Sequence, residues 1–218
     1  MYNFVNKSKV KFRTIACFIL MFVLICFDQI TKYFVLENLK GRASVPIIKD
    51  VFELTFVSNE GIAWGMFSGR INIVVLFTTI ITIGLIYLFT KIGLLSVYYQ
   101  GKKENDLTFN SASDGRVKSM DQKIKRLNIL QIVIVVMFSG ALGNLIDRIT
   151  LGYVVDFFNF KLINFPVFNV ADIFITVSLA VFIIFYLVLL DDDDIDMIFK
   201  SYKKWKSPIQ NEGEDEEK

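Results

Sequence analysis

Histidine is absent from the chain, and only 2 of its 218 residues are cysteine and 3 are proline. The first absence removes whole classes of chemistry. A Ser-His-Asp triad, a Cys-His pair and an H-E-x-x-H zinc site each need an imidazole. The two cysteines, Cys17 and Cys26, lie in one apolar run, too sparse for a disulfide framework or a structural zinc site. No metal and no cofactor are expected. Charge is scarce as well: Asp, Glu, Lys and Arg make up 21% of the residues against 54% hydrophobic ones, which include 22 Phe. Soluble domains average about 25% charged residues. With a mean hydropathy of +0.50, the charges must be segregated from long apolar runs, as in a membrane protein. Proton chemistry then falls to the 22 Asp and Glu.

A spanning helix needs about 20 mostly apolar residues. Residues 71–90 and 127–146 are uncharged throughout, and 173–190 add a third such run. Residues 14–36 form a fourth, interrupted by Asp28 and Lys32. No small-residue cleavage site follows its apolar part, so it reads as a retained helix and not as a signal peptide. The expectation is an all-α polytopic membrane protein with a four-helix membrane domain over 14–190. Its helices should cover about 14–36, 71–94, 127–148 and 170–190. A basic segment 1–13 precedes them, a flexible polar loop 95–126 joins the middle pair, and a charged tail 191–218 follows. Residues 43–57 are rich in β-branched and aromatic side chains with partial alternation, which predicts short strands in a small extracytoplasmic β-rich segment.

Basic loops stay cytoplasmic. Residues 1–13, 91–126 and 191–218 hold 17 Lys and Arg, whereas 37–70 and 149–168 hold 5. Both termini and the middle loop are therefore placed inside. With that direction, Asp28 and Lys32 lie toward the outer end of the first helix. Asn144, Asp147 and Arg148 lie at the outer end of the third, and Asn169 and Asp172 at the outer start of the fourth. Asp156 falls in the short outer connection. Ionisable groups in spans are expensive and seldom incidental, and here they collect at one depth.

Each group also has a plain structural reading. Asp28 and Lys32 are spaced i,i+4, which suits a simple helix ion pair. Arg148 can snorkel to the headgroups, and Asn169 can serve as a helix N-cap. Gly140 and Gly143, with Ser139 and Ala141, suit close helix packing. Trp64 can be an interfacial anchor. Their coincidence at one level favours a shared site. A hydrolase without His or Cys can use two close carboxylates, of which one holds a proton and one activates water. Asp28, Asp147, Asp156, Asp172 and Glu60 are the acids near the outer surface, and chemistry alone does not choose among them. A small proton-coupled transporter or accessory subunit is the alternative class, but such proteins show repeats and broken helices at the bilayer midplane. This chain has neither.

The segments D28-Q-I-T-K32, N59-E-G-I-A-W-G65, G140-A-L-G-N-L-I-D-R148 with G152-Y-V-V-D-F157, and F168-N-V-A-D172 resemble the lipoprotein signal peptidase family, signal peptidase II. They occur in that family's order, one on each membrane-associated segment. The resemblance implies an aspartyl endopeptidase of the bacterial cytoplasmic membrane, with its active site at the extracytoplasmic face. Its partners would be membrane lipid and a lipidated prolipoprotein, cut on the N-terminal side of the diacylglyceryl-cysteine; no nucleic acid is implied. Asp156 and Asp172 match the family's catalytic pair. Asp28, Lys32, Asn59, Gly61, Trp64, Asn144, Asp147, Arg148, Asn169 and Ala171 would bind substrate or support the site. Arg148 and Asn59 are candidates to hold substrate carbonyls, and residues 43–68 with Trp64 and Phe67 would form an amphipathic flap. Ser139 and Ser178 stand where the family usually has glycine, and the inner loop and tail are longer than is usual.

Overall fold

A computed structural model describes residues 7–61, 69–109, 113–188, 190 and 192–199. The first apolar run forms α1 (Lys7–Leu39) and leads into β1 (Val45–Ile48) and β2 (Phe52–Asn59). Two long helices follow, α2 (Ile71–Thr108) and α3 (Asp114–Leu151), then β3 (Val154–Phe160), a 3-10 turn, α4 (Val170–Val188) and α5 (Asp192–Phe199). Four of these helices are long and apolar enough to cross a membrane: Val10–Leu39, Ile71–Thr108, Asp114–Leu151 and Val170–Val188. The all-α polytopic expectation holds.

α3 is the central helix, packed against α1, α2 and α4. Its buried side chains run from Met120 to Asp147. The outer helices turn Phe18, Phe22, Phe77, Ile81, Ile184 and Leu187 outward, where a bilayer solvates what water would not.

The connection 95–126 differs from the expected flexible loop. α2 runs on to Thr108 and α3 begins at Asp114, so the polar stretch is a helical hairpin. Leu95, Tyr99, Met120 and Leu127 are buried, which means the apolar seam continues past the spans with polar residues between its contacts. The longer α1 likewise brings Arg13 into the end of the bundle that holds Ser96 and Asn128. There its guanidinium donates to Ser96 and Asn128, so polar groups also meet at this end.

Part of the charged tail also folds back. α5 packs on α2, Ile198 is buried in the apolar cluster with Leu95, Leu127 and Leu130, and Asp194 is 3% exposed. Tyr99 Oη donates to Asp194 Oδ1 at 2.5 Å and Lys123 Nζ lies 3.2 Å from the same oxygen.

The three strands form one antiparallel sheet in the order β1-β2-β3. β1 and β2 lie in the segment where short strands were expected. β3 was not anticipated; its V-V-D-F-F-N-F run is β-branched and aromatic but too short to stand out. Gly152, with φ 81°, ends α3, and its N–H donates to Arg148 O at 3.2 Å. This left-handed cap turns the chain directly into β3. Val155, Phe157, Val35, Leu39 and Val170 then pack as one outer core, joining the sheet to α1 and α4.

Candidate active site

The register pairs Val57 with Asp156 and Asn59 with Val154. Asn59 is thus a diagonal neighbour of Asp156, within side-chain reach across two strands. Its Nδ2 donates to Asp156 Oδ2 at 2.8 Å, and its Oδ1 accepts from Gly61 N at 3.0 Å. Asp156 is 2% exposed. Burial, followed by the nearby Asp172 charge, pushes its carboxyl up from the usual 3.8 to about 7, despite the hydrogen bonds from Asn59 and Asn169 and the Lys32 charge.

α4 begins with a reciprocal cap. Asn169 Oδ1 accepts from Asp172 N, and Asp172 Oδ2 accepts from Asn169 N, both at 3.0 Å. This is the capping-box arrangement built from Asn and Asp. The other end of the Asn169 amide, Nδ2, donates to Asp156 Oδ1 at 2.7 Å and to Asn144 Oδ1 at 3.2 Å. Asn169 therefore both caps the helix and touches both acids. Asn144 Nδ2 supplies Asp172 Oδ1 at 2.8 Å.

Beneath this layer, Lys32 Nζ lies 2.9 Å from Asp28 Oδ2, 3.1 Å from Asp147 Oδ2 and 2.8 Å from Asn144 Oδ1. Asp28, Lys32 and Asp147 are at most 2% exposed. The i,i+4 pair is real, and it is also tied into the site. The lysine contact fixes Asn144: its oxygen faces the cation, so its NH2 group is turned to Asp172. Asp28 Oδ1 accepts from Ala171 N at 3.0 Å, and Asp147 Oδ2 accepts from Val155 N at 3.1 Å.

Arg148 does not snorkel. Its Nη2 donates to Gly61 O at 2.9 Å and its Nη1 lies 3.5 Å from Asn144 O, while its buried Nε has no partner among the described residues. Asp147 and Arg148 point to different partners, as their adjacency on a helix requires. Glu60 is exposed and stands apart from the other four acids. Trp64 and Phe67 lie outside the described residues.

The small-residue patch performs the close packing expected of it. A Cβ on Gly143 would overlap the Asp28 carboxylate, and one on Gly140 would stand 2.5 Å from Ala171 O. Ser139 and Ser178 fit in place of glycine because both are buried and each donates to its own helix backbone, the usual way to satisfy a hydroxyl there. Sequence reasoning missed Gln29. Its Nε2 donates to Asp147 Oδ1 at 3.0 Å and to Asp28 Oδ2 and Gly143 O at 3.2 Å. The signal was its place beside Asp28 in the first motif, where a neutral amide draws less attention than the charges around it.

Known proteins carry the same framework. The family model described as signal peptidase (SPase) II matches residues 20–104 and 117–188. The lipoprotein signal peptidase of Clostridioides difficile is 36% identical over 172 residues, covering 77% of this chain and 94% of that protein. The lipoprotein signal peptidase of Halothermothrix orenii is 33% identical over 168 residues, 77% of this chain and 92% of that protein. A bacterial membrane enzyme solved by the in meso method at 1.9 Å superposes with a TM-score of 0.56 at 29% identity, covering 81% of this chain and 94% of that one. Motifs, spans and relatives agree, and the chain belongs to the signal peptidase II family.

Proposed function

We propose that this protein is a membrane aspartyl endopeptidase that removes signal peptides from diacylglyceryl-modified prolipoproteins, cutting on the N-terminal side of the lipidated cysteine. The relatives' name, lipoprotein signal peptidase, supports the substrate class. The observation that carries the chemistry is Asn169, whose side-chain and backbone nitrogens bridge Asp156 and Asp172.

Two carboxylates sharing a site cannot both ionise cheaply, so one proton is held between them. The ionised acid takes a proton from water as it attacks the scissile carbonyl. The protonated acid supports that carbonyl and later serves the leaving amine. With its carboxyl near pH 7, Asp156 is suited to exchange protons under ordinary conditions, where a catalytic acid or base works best.

The site's depth fits a lipidated substrate. Asp172 opens α4 and Asp147 lies in the last turns of α3, so the acids sit at one membrane surface. A diacylglyceryl chain lying between helices would bring its cysteine backbone to that level. The Lys and Arg distribution supports an outward-facing surface, with both termini in the cytoplasm.

The test is incubation of purified protein with a lipidated prolipoprotein, following release of the signal peptide. Wild type should cleave, and Asp156→Asn and Asp172→Asn should insert and fold yet lose at least 1,000-fold in rate, roughly the scale of removing general acid–base catalysis. Wild-type rates in either variant would overturn the assignment of the pair.

A further inference from the structure

Two acids that are not assigned to the chemistry grip the backbone next to the two that are. Asp147 accepts from Val155 N, and Asp28 accepts from Ala171 N. Val155 and Ala171 immediately precede Asp156 and Asp172. The distance between Asp28 and Asp147 therefore helps to set the distance between the two candidate catalytic backbones. One cation, Lys32, stands between Asp28 and Asp147 at 2.9 and 3.1 Å. Two carboxylates facing one ammonium in a buried place need a further donor for their remaining oxygens.

Gln29 is that donor. Its Nε2 reaches one oxygen of each carboxylate and the Gly143 carbonyl, at 3.0–3.2 Å. An amide NH2 has only two hydrogens, so three acceptors share them and are drawn to a common point. The Gly143 contact fixes that point on α3 where α1 packs tightly, the place at which a Cβ would overlap Asp28. Gln suits the position by both length and charge. Asn is one methylene shorter, and Glu would add a third carboxylate.

We propose that Gln29 is a positioning residue that, with Lys32, holds Asp28 and Asp147 at a fixed spacing and so sets the separation of Asp156 and Asp172. The proposal rests on the reading of those two as the catalytic pair. The charged groups that act on them are Lys32 from α1 and Arg148 from α3, while Asp28 and Asp147 hold the backbone of the preceding residues. Gln29 touches Asp28 and Asp147 and neither Asp156 nor Asp172 among its hydrogen-bond partners in the described residues. Loosening the brace lets the pair move apart, their mutual repulsion falls, and the proton they share is released at lower pH.

The test uses full-length protein and two variants. Gln29→Met keeps the volume and removes the donor; Gln29→Asn keeps the donor on a shorter arm. Cleavage is followed against pH, and carboxyl protonation against pH by isotope-edited infrared spectroscopy, which needs no turnover. For Gln29→Met we expect kcat to fall roughly 10–100-fold, the scale of a small misplacement of reacting groups, with KM little changed. The alkaline limb of the pH profile and the carboxyl titration should both move to lower pH. Gln29→Asn should show the same shifts in smaller measure and serves as the deciding variant if Gln29→Met does not fold.

A lowered melting temperature with unmoved pH profile and carboxyl titration would make Gln29 merely structural and overturn the proposal. So would wild-type kinetics. If Asp156→Asn still cleaves, the catalytic assignment fails instead. The infrared titration of Gln29→Met then still decides whether the brace exists.

Discussion

Asn169 spends every polar atom of its side chain at once: the oxygen caps α4, and the NH2 group reaches Asp156 and Asn144. A neutral amide carries both functions on a single rigid plane, which explains why Asn, and not Asp or Ser, stands there. The acid it faces makes stability depend on pH. The Asp156 carboxyl titrates at about 7 in the folded chain and near 3.8 when free, so the folded state favours the protonated form. The stability this contributes is complete below about pH 4 and is lost as pH rises through about 7. Asp156→Asn has no such proton to lose, and its melting temperature should fall less than that of wild type across that interval, as read by thermal unfolding in detergent. Lys32 gives a larger effect. Lys32→Met leaves Asp28 and Asp147 buried without their cation, and removing one partner of a buried pair costs about 3–5 kcal/mol. Thermal unfolding should register that loss even where the site makes no catalytic contact with Lys32.

The elements show a division between what neighbours in sequence reveal and what only folding brings together. The four apolar runs and the layer of polar groups at one depth were legible because each depends on local composition. So was the Gly140–Gly143 patch, where Gly143→Ala should cost about 1–3 kcal/mol through overpacking against Asp28 and lower cleavage in parallel. Three features were not legible. β3 is seven residues long and owes its extended form to pairing with β2. The helical hairpin over 95–126 has its apolar contacts diluted by Lys, Glu and Asn. α5 begins among four consecutive aspartates, which read as solvated, and the partners that make Asp194 tolerable lie 95 and 71 residues away in sequence. α5 also falls beyond the residues matched by the family model. It packs at the end of the bundle opposite Asp172, separated from it by the 19 residues of α4, about 28 Å of helix. A chain ending at Leu190 should therefore melt at lower temperature while keeping its cleavage rate. Thermal unfolding and the prolipoprotein assay, run side by side, check this.

For the whole molecule, the sheet joins what the membrane helices leave separate. β2 comes from the connection after α1 and β3 from the connection after α3, so the two outer segments are one structure on one side. A reporter active only outside the cytoplasm should work when inserted near residue 50 and stay silent when fused after Leu190; the reverse pattern would invert the topology.

The wide spacing of the site's partners has a further bearing on how the protein is made. Asp156 meets Asn59 from 97 residues away, and Ala171 N meets Asp28 from 143. Such contacts form late, because a long loop must close before they give any return, and synthesis proceeds from the N-terminus. Asp172 and Asn169 are the last of the group to leave the ribosome. A chain still emerging, or one arrested before α4, holds Asp28, Lys32 and Asn59 but has no complete pair of acids. With Asp156 and Asp172 as the proposed pair, the order of synthesis withholds the second acid until the final span is in place.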